Sequence, residues 1–410
     1  MKIVKISIKN YRSCLDTTFE PNSRLSALIG PNGSGKTNVL SAIKLLPSLC
    51  FNRPSRHFLD DVPVTSVSEI KTWYEIDGKK LVHTARLNLV TNEKNQDEIL
   101  SSDETWYMYE FTGRKGKISL ASWIIFDIFR ENGVMLSNFS RRNAGLLEYL
   151  TSQGLNQKDI DILERVVKAI ASISYYSASQ FTNPASCPIS FEVEGDNKRR
   201  TGISITGHKK FLYDLYQEHR KKSDSYNEFF DLVGESGIGL VEGIEFNEII
   251  TSSSNYSVMT GGKVKKSEKN NLLVVPSFKI SGNQLSPSQL SEGTFKTLAL
   301  IFYLVTDISP ILMLEEPEVC VHHGLLTSIV ELIRIYSKNK QILISTHSDA
   351  VLDKLDLENV FKVERENGKG TVVSSIRKNI KGTELRALKE YLANEGSLGE
   401  FWKHGDLENV

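Results

Sequence analysis

Residues 25–43, LSALIGPNGSGKTNVLSAI, constrain this chain more than any other stretch. An apolar run, Leu25 to Ile29, enters a glycine-rich turn, and a helix-prone segment follows at once. The turn, Gly30-Pro31-Asn32-Gly33-Ser34-Gly35-Lys36-Thr37, satisfies G-x-x-x-x-G-K-[ST] in full and sits between a strand and a helix, as that motif requires. Each residue type has a physical reason. Gly33 and Gly35 let the backbone curl so that its N–H groups point inward at phosphate oxygens. The new helix adds the positive end of its dipole. Lys36 has the reach to meet β- and γ-phosphates, and the Thr37 hydroxyl is placed to ligate Mg²⁺. Asn32, Ser34 and Asn38 complete the expected nucleotide-binding set, so ATP and Mg²⁺ are the expected ligands.

At 410 residues the chain is too long for one simple core and suits two or three lobes. Lys+Arg and Asp+Glu are both 50. The net charge therefore demands no nucleic acid, and local basic patches must carry any such argument. The four cysteines, Cys14, Cys50, Cys187 and Cys320, are scattered without a C-x-x-C pair and read as thiols of a reducing cytosol. The opening MKIVKISIKN alternates like a strand and lacks the apolar core of a signal peptide. No apolar run is long enough to span a bilayer. A cytoplasmic location without membrane partners is expected.

Along the chain, Lys2 to Ile8 alternates with period two, and Asn10 to Ser13 makes a turn. After the phosphate loop, a helix is expected over Asn38 to Leu46, ending before Pro47. Residues 69–120 read as antiparallel strands, with Lys71 to Ile76 and Leu81 to Val90 flanking an Asp77-Gly78 turn. Trp106 to Phe111 and Lys117 to Leu120 flank a second turn. Trp123 to Phe129 and Ala144 to Ile173 look helical, the latter through Ile160, Leu163, Val166, Val167 and Ile170. Ser174 to Ser177 is a short strand, followed by an irregular stretch with Gln180. Lys209 to Val233 reads as one charged helix, and Ser252 to Asn271 as a mobile loop. The basic segments Lys198 to Arg200, Lys209-Lys210, Arg220 to Lys222, Lys263 and Lys265-Lys266 read either as a phosphate-backbone surface or as solvated loops and helix faces.

Three further stretches carry chemistry. Leu290-Ser291-Glu292-Gly293-Thr294 precedes a helix; alone, its serine reads as a cap. Ile311 to Glu318, ILMLEEPE, is an apolar strand that delivers carboxylates at its C-terminal end, where open α/β sheets bind ligands. Successive strand residues face opposite sides. A bend is therefore needed if Glu315 is to face Mg²⁺ while Glu316 faces an attacking water. Lys340 to Ser348, KQILISTHS, is a second apolar strand, ending in His347, which can donate to a phosphate oxygen while neutral.

The order GPNGSGKT, LSEGT, LMLEEPE, STH resembles an ABC-type ATPase head of the SMC/RecF kind. Within that group it is most similar to the OLD-like AAA ATPases of bacterial phage-defence systems. The features carrying this are I-x-I-x-N-Y-R-S at the start, LSEGT in place of LSGGQ, EEPE followed by Val321-His322-His323, STHSDAVLD, and the closing SLGEFW. The resemblance covers residues 1–45 and 285–405.

It implies an α/β fold: an ABC/SMC-type P-loop ATPase head with an antiparallel β subdomain and an inserted helical lobe. The expected division is 1–180, first ATPase lobe; 181–305, helical and signature lobe; 306–410, the acidic strand, His347 and the rest of the head. It also implies a head-to-tail homodimer, or a higher assembly, with two ATP molecules at its interface. Ser291 and Gly293 of one subunit would close over the γ-phosphate held by Gly30 to Thr37 of the other. Glu316 would activate water, His347 would sense the γ-phosphate, and Thr37, Glu315 and Gln180 would serve Mg²⁺. Glu315 stands where such families usually have Asp. The function implied is a switch ATPase of an anti-phage system that controls a separate effector chain, such as a nuclease or toxin. With about 60 residues after His347, no nuclease domain of its own is expected in this chain. The alternative is a RecF/SMC-like repair ATPase that clamps DNA. A transporter subunit fits poorly: Glu292 replaces a glycine of the transporter motif, and roughly 250 residues separate Lys36 from Ser291.

Overall fold

The computed structural model describes residues 1–50, 67–91, 97–110, 126–127, 151–152, 156–193, 207–258, 264–319, 321, 323–379, 382, 386, 388, 390–392 and 396–403. Two compact units emerge. One comprises Met1–Tyr175, Ile308–Glu318 and Val330–Val410; the other comprises Tyr176–Asp307 and Val319–Ile329.

The first unit is built on one long sheet. Its strands are β1 (Lys2–Tyr11), β2 (Cys14–Phe19), β3 (Leu25–Ile29), β4 (Ser68–Ile76), β5 (Lys79–Thr91), β6 (Asp97–Glu110) and β7 (Phe126–Asp127). Strand β8 (Ser174–Ser177) carries the chain out of this unit. With β9 to β12 reserved for the second unit, the sheet resumes as β13 (Ile311–Glu315), β14 (Gln341–Thr346), β15 (Val360–Glu366) and β16 (Gly370–Ser375). The spatial order is β7-β6-β5-β4-β1-β2-β16-β15-β3-β14-β13-β8. Strands β15, β3, β14 and β13 run parallel as neighbours. The pairs from β7 through β16, and β16 with β15, are antiparallel where their registers are defined. The division follows sequence pattern. Strands β3 and β14 are buried at every residue, as parallel strands covered on both faces must be. Strands β1 and β4 alternate between covered and open faces.

Helix α1 (Lys36–Cys50) leaves the phosphate loop, and α2 (Gln157–Ala171) shares its core. Val39, Leu40, Ile43 and Leu46 of α1 pool with Ile160, Leu163, Val166, Val167 and Ile170 of α2 and with Ile3, Ile6 and Ile8 of β1. The apolar stripe expected on α2 is buried at all five positions. Each such side chain contributes about 1.5–3 kcal/mol. Asn156 caps α2, its side chain accepting from the Asp159 N–H at 3.0 Å.

The second unit pairs β10 (Gly243–Val258) with β11 (Val264–Ile280), while β9 (Phe191–Val193) and β12 (Asn283–Leu285) add to β11. Its helices are α3 (His208–Lys221), α4 (Asp224–Val233) and α5 (Glu292–Thr306). Helix α5 is buried on nearly all sides. Its Phe295 and Phe302 pack edge-on against Phe211 of α3, at ring separations of 5.3 and 5.6 Å.

Several expectations are corrected. Helix α1 does not end before Pro47 but runs through it to Cys50. Proline lacks the N–H that would otherwise bond the carbonyl four residues back, so the last turn forms without that bond. Phe126–Asp127 pairs with β6 as a strand rather than lying in a helix. Lys209 to Val233 is two helices. The chain breaks at Lys222, in the left-handed region at φ 49°, and Ser223 restarts it by accepting the Tyr226 N–H at 3.1 Å. Ser252 to Val258 and Val264 to Asn271 are strand rather than loop: Ser252 pairs with Asn270, and Val258 stands opposite Val264. The Asp77-Gly78 turn is as expected, with φ of 48° and 74°, the form that matches strand twist. The expected second turn at Thr112 to Gly116, the Lys117 to Leu120 strand, and Lys198 to Arg200 lie outside the described residues.

Candidate functional site

Strand register sets the site. Glu315 of β13 is level with Ser345 of β14, which is level with Leu28 of β3. Thr346 is level with Ile29. One residue on, three adjacent parallel strands release Glu316, His347 and Gly30 at a common edge, the carboxyl end where open α/β sheets bind ligands.

The loop from β3 to α1 is held in its curled form. Gly33 has φ +82° with open space where a Cβ would stand, so backbone freedom alone requires glycine there. Gly35 has φ +107°, and an added Cβ would lie 2.1 Å from Thr371 Oγ1. The Ser34 N–H donates to Pro31 O at 3.2 Å, and the Val39 N–H to Gly35 O at 3.0 Å begins the helix. Lys36 is buried, at 5 % exposure, and its ammonium donates to Gly30 O (2.7 Å) and Pro31 O (3.1 Å) of its own loop. Burial pulls its pKa below the usual lysine value, against the opposing charges of Glu316, Glu318 and Glu315. Asn32, Gly33 and the Thr37 hydroxyl-bearing residue are exposed, whereas Ser34 Oγ is buried without a partner.

Asn38 ties this loop to the Asn10 to Ser13 turn, to which the sequence assigned no role in the site. Its Nδ2 donates to Ser13 Oγ at 2.5 Å, and its Oδ1 accepts from Arg12 Nη1 at 3.2 Å. Thr371 Oγ1 donates to Ser34 O at 3.1 Å and lies 2.7 Å from Ser13 Oγ. With the threonine proton committed to Ser34, Ser13 is the donor between the two hydroxyls. The β1–β2 turn and the start of β16 thus brace the phosphate loop. The signal was present in N-Y-R-S, but the partner at 371 is a tertiary fact.

Glu316 supplies the bend that two useful carboxylates require. Its φ is 46°, left-handed for a non-glycine residue, and its N–H donates to Ser345 O at 2.9 Å. Such a conformation persists where surrounding contacts over-determine it. Glu315 Oε2 accepts from the Tyr175 hydroxyl. The Lys44 ammonium stands 4.1 Å from the centre of the Tyr175 ring, and burial lowers its pKa against the charge of Glu315. His347 Nδ1 lies 3.4 Å from Glu316 Oε1 and 3.7 Å from Glu318 Oε1. Glu318, absent from the expected set, is more buried than Glu316, whose side chain is 36 % exposed. The Glu318 side chain is 8 % exposed, and burial raises its pKa.

Ser291, Gly293 and Gln180 belong to the second unit. Ser291 caps α5, its Oγ accepting the Thr294 N–H at 3.1 Å, and it is exposed. Two residues on from Ser291, Gly293 lies in the first turn of α5. Within that turn the Glu292 carboxylate holds the Lys296 ammonium at 2.7 Å, the lysine being 2 % exposed. Gln180 is exposed in a single 3₁₀ turn, Ala178–Phe181. Phe181 anchors that turn by stacking on Tyr176 at 5.2 Å. Of the basic segments, Lys210 pairs with Asp214 and Lys221 with Glu218, as solvated helix faces do.

The donors in the first unit suit a nucleotide with Mg²⁺. The curled loop offers N–H groups and an ammonium, Ser34 Oγ awaits a partner, and Thr37 and Glu315 are hard oxygen donors of the kind Mg²⁺ takes. Among the described residues no helix is long and apolar enough to cross a membrane.

A family model described as an AAA ATPase domain matches residues 1–352. Among curated proteins, the DNA replication and repair protein RecF of Marinomonas sp. (strain MWYL1) is 44 % identical over 46 residues, covering 11 % of this chain and 12 % of that protein. RecF of Pseudomonas fluorescens (strain Pf0-1) is 46 % identical over 46 residues, with the same coverage of 11 % and 12 %. The chain therefore spans about 12 % of the length of the curated relatives it matches. Among solved structures, the SMC head domain from Thermotoga maritima aligns over 92 % of this chain and 99 % of its own, at 17 % identity and a TM-score of 0.43. An SMC head bound to the C-winged helix domain of ScpA aligns over 92 % and 99 %, at 16 % identity and a TM-score of 0.46.

Proposed function

This chain belongs to the AAA ATPase domain family, and from that premise we propose that it is a dimeric ATP-driven switch of a bacterial anti-phage defence system, acting on an effector carried by a separate chain. The ATPase activity rests on the family. The roles of individual residues are our assignment, and the observation that carries them is the common edge at which β3, β13 and β14 release Gly30, Glu316 and His347.

In this mechanism the loop N–H groups and Lys36 bind the β- and γ-phosphates. Lys36 gives up its bonds to Gly30 O and Pro31 O when phosphate oxygens replace them. Thr37, Glu315 and Gln180 are the residues assigned to Mg²⁺, which would neutralise phosphate charge. Tyr175 fixes one oxygen of Glu315. Glu316 orients and deprotonates the attacking water, and His347 stands beside it toward the γ-phosphate. Ser291 and Gly293 of a second copy close over the nucleotide, the region 181–305 serving as the signature lobe. ATP favours the closed form only through contacts made there and absent from the open one. The defence assignment is supported by the LSEGT, EEPE and STHSDAVLD wording.

The experiment is native mass spectrometry of the tagged chain, expressed with its neighbouring genes and purified with Mg²⁺-ATP. A stoichiometric second polypeptide is the expected result. A dimer carrying nucleic acid instead would favour the second reading, a DNA clamp, which the RecF matches of 44–46 % identity support locally. That reading requires ATP-dependent DNA binding with a steep salt slope.

A further inference from the structure

Glu318 has no place in the mechanism so far, yet it is the best-connected acid at the site. Its Oε1 accepts from two donors on the next strand end: Thr346 Oγ1 at 2.7 Å and the His347 backbone N–H at 3.2 Å. The same oxygen is 3.7 Å from His347 Nδ1. The Ser348 N–H donates to Thr346 Oγ1 at 3.0 Å, so the hydroxyl passes the restraint one residue further. Its side chain is more than nine-tenths buried, and Oε2 is buried with no partner. A carboxylate placed so far from water is costly unless its contacts are needed. Both of those donors to Oε1 belong to the segment that carries His347.

We propose that Glu318 is a positioning residue for ATP hydrolysis. It ties the end of β14 to the turn after β13, so that the His347 ring stays beside Glu316 instead of swinging out with its exposed loop. Without the tie, nothing among the contacts of Thr346 and His347 described above links the two strand ends beyond the sheet, apart from the 3.4 Å approach of Nδ1 to Glu316. The role depends on an acceptor at Oε1, not on negative charge. Glutamine, which keeps a carbonyl oxygen on a side chain of the same length, should therefore replace it, and alanine should not.

The inference rests on the assignment of His347 to the hydrolytic site, and the test separates the two. Turnover and the affinity for a fluorescent ATP analogue are measured for Glu318→Ala, Glu318→Gln, Thr346→Val, His347→Ala and the double variant Glu318→Ala/His347→Ala. A misplaced group near the reacting atoms costs up to about 100-fold in rate. Glu318→Ala should lose about 30- to 100-fold in kcat while analogue affinity stays within about 3-fold. Glu318→Gln should recover most of that loss. Thr346→Val should fall between them, and it preserves the test if Glu318→Ala fails to fold. The double variant should be no slower than His347→Ala, because the two act as one unit.

Wild-type kcat in Glu318→Ala, with His347→Ala impaired, would overturn the positioning role alone. So would a Glu318→Gln variant as slow as Glu318→Ala, which would make charge the operative property. Wild-type turnover in His347→Ala would remove the assignment beneath the proposal.

Discussion

At the scale of single residues, the site is a set of charges held in place by neutral partners. Lys36 rests on two carbonyls of its own loop, which phosphate oxygens would replace in the proposed mechanism. Lys36→Ala should weaken nucleotide binding about 10- to 100-fold, the value of one or two charge-assisted hydrogen bonds, as read by titration with a fluorescent ATP analogue. Glu316→Gln should bind ATP with near-normal affinity and hydrolyse it about 10²- to 10⁴-fold more slowly, the span of general-base catalysis. A fast Glu316→Gln enzyme in a phosphate-release assay would remove Glu316 from that role. Tyr175 donates to one oxygen of Glu315, the proposed Mg²⁺ ligand. Tyr175→Phe deletes the donor to Glu315 Oε2 and should raise the Mg²⁺ concentration for half-maximal analogue binding about 10-fold, a typical cost of losing a partner behind a metal ligand. Identical Mg²⁺ curves for the two proteins would show that the contact is passive.

At the scale of elements, motif residues were legible because each sits where one element changes into another. A buried strand, a glycine turn and a helix start can be read locally, so Gly30 to Thr37 and the acidic end of β13 stood out. What was missed is pairing between distant segments. Thr371 sits on a strand with no motif of its own, yet it meets Ser13 and Ser34. The β10–β11 ribbon was hidden because Ser, Asn and Lys are weak strand formers, and its order comes from a register that local propensity does not report. In the second unit, His208 packs its ring on Phe295 and Phe181 at 5.0 and 6.1 Å, and its buried Nε2 has no partner. Burial lowers its pKa below the ordinary 6.5. Below pH 6.5 the unfolded chain then binds the proton more readily than the folded one, so stability falls as pH drops from 6.5 through the folded value. In His208→Phe, thermal melts between pH 7 and pH 5 should show a shallower fall in Tm than in the wild type.

At the scale of the whole molecule, the Gly30 to Thr37 loop, Glu316 and His347 lie on one unit, and Ser291, Gly293 and Gln180 on the other. In the proposed switch, a second copy would bring its Ser291 and Gly293 to the nucleotide. Ser291→Arg should leave ATP binding intact and abolish the ATP-dependent dimer by steric clash, while Glu316→Gln should accumulate that dimer. Light scattering with and without Mg²⁺-ATP checks both. A Ser291→Arg protein that still dimerised with ATP would place the closing contact elsewhere.

The amino-acid order alone determined the phosphate loop, the two acid- and histidine-bearing strands, the α/β class and the buried stripe of α2. Each is written in residues close together in the chain, through turn chemistry and apolar period. Only the tertiary structure decided that Glu316 turns left-handed, that Glu318 reaches across to Thr346 and His347, and that Ser13, Asn38 and Thr371 brace the loop. Those contacts join residues 25 to 358 positions apart, and such pairings exist only once β3, β13, β14 and β16 lie side by side.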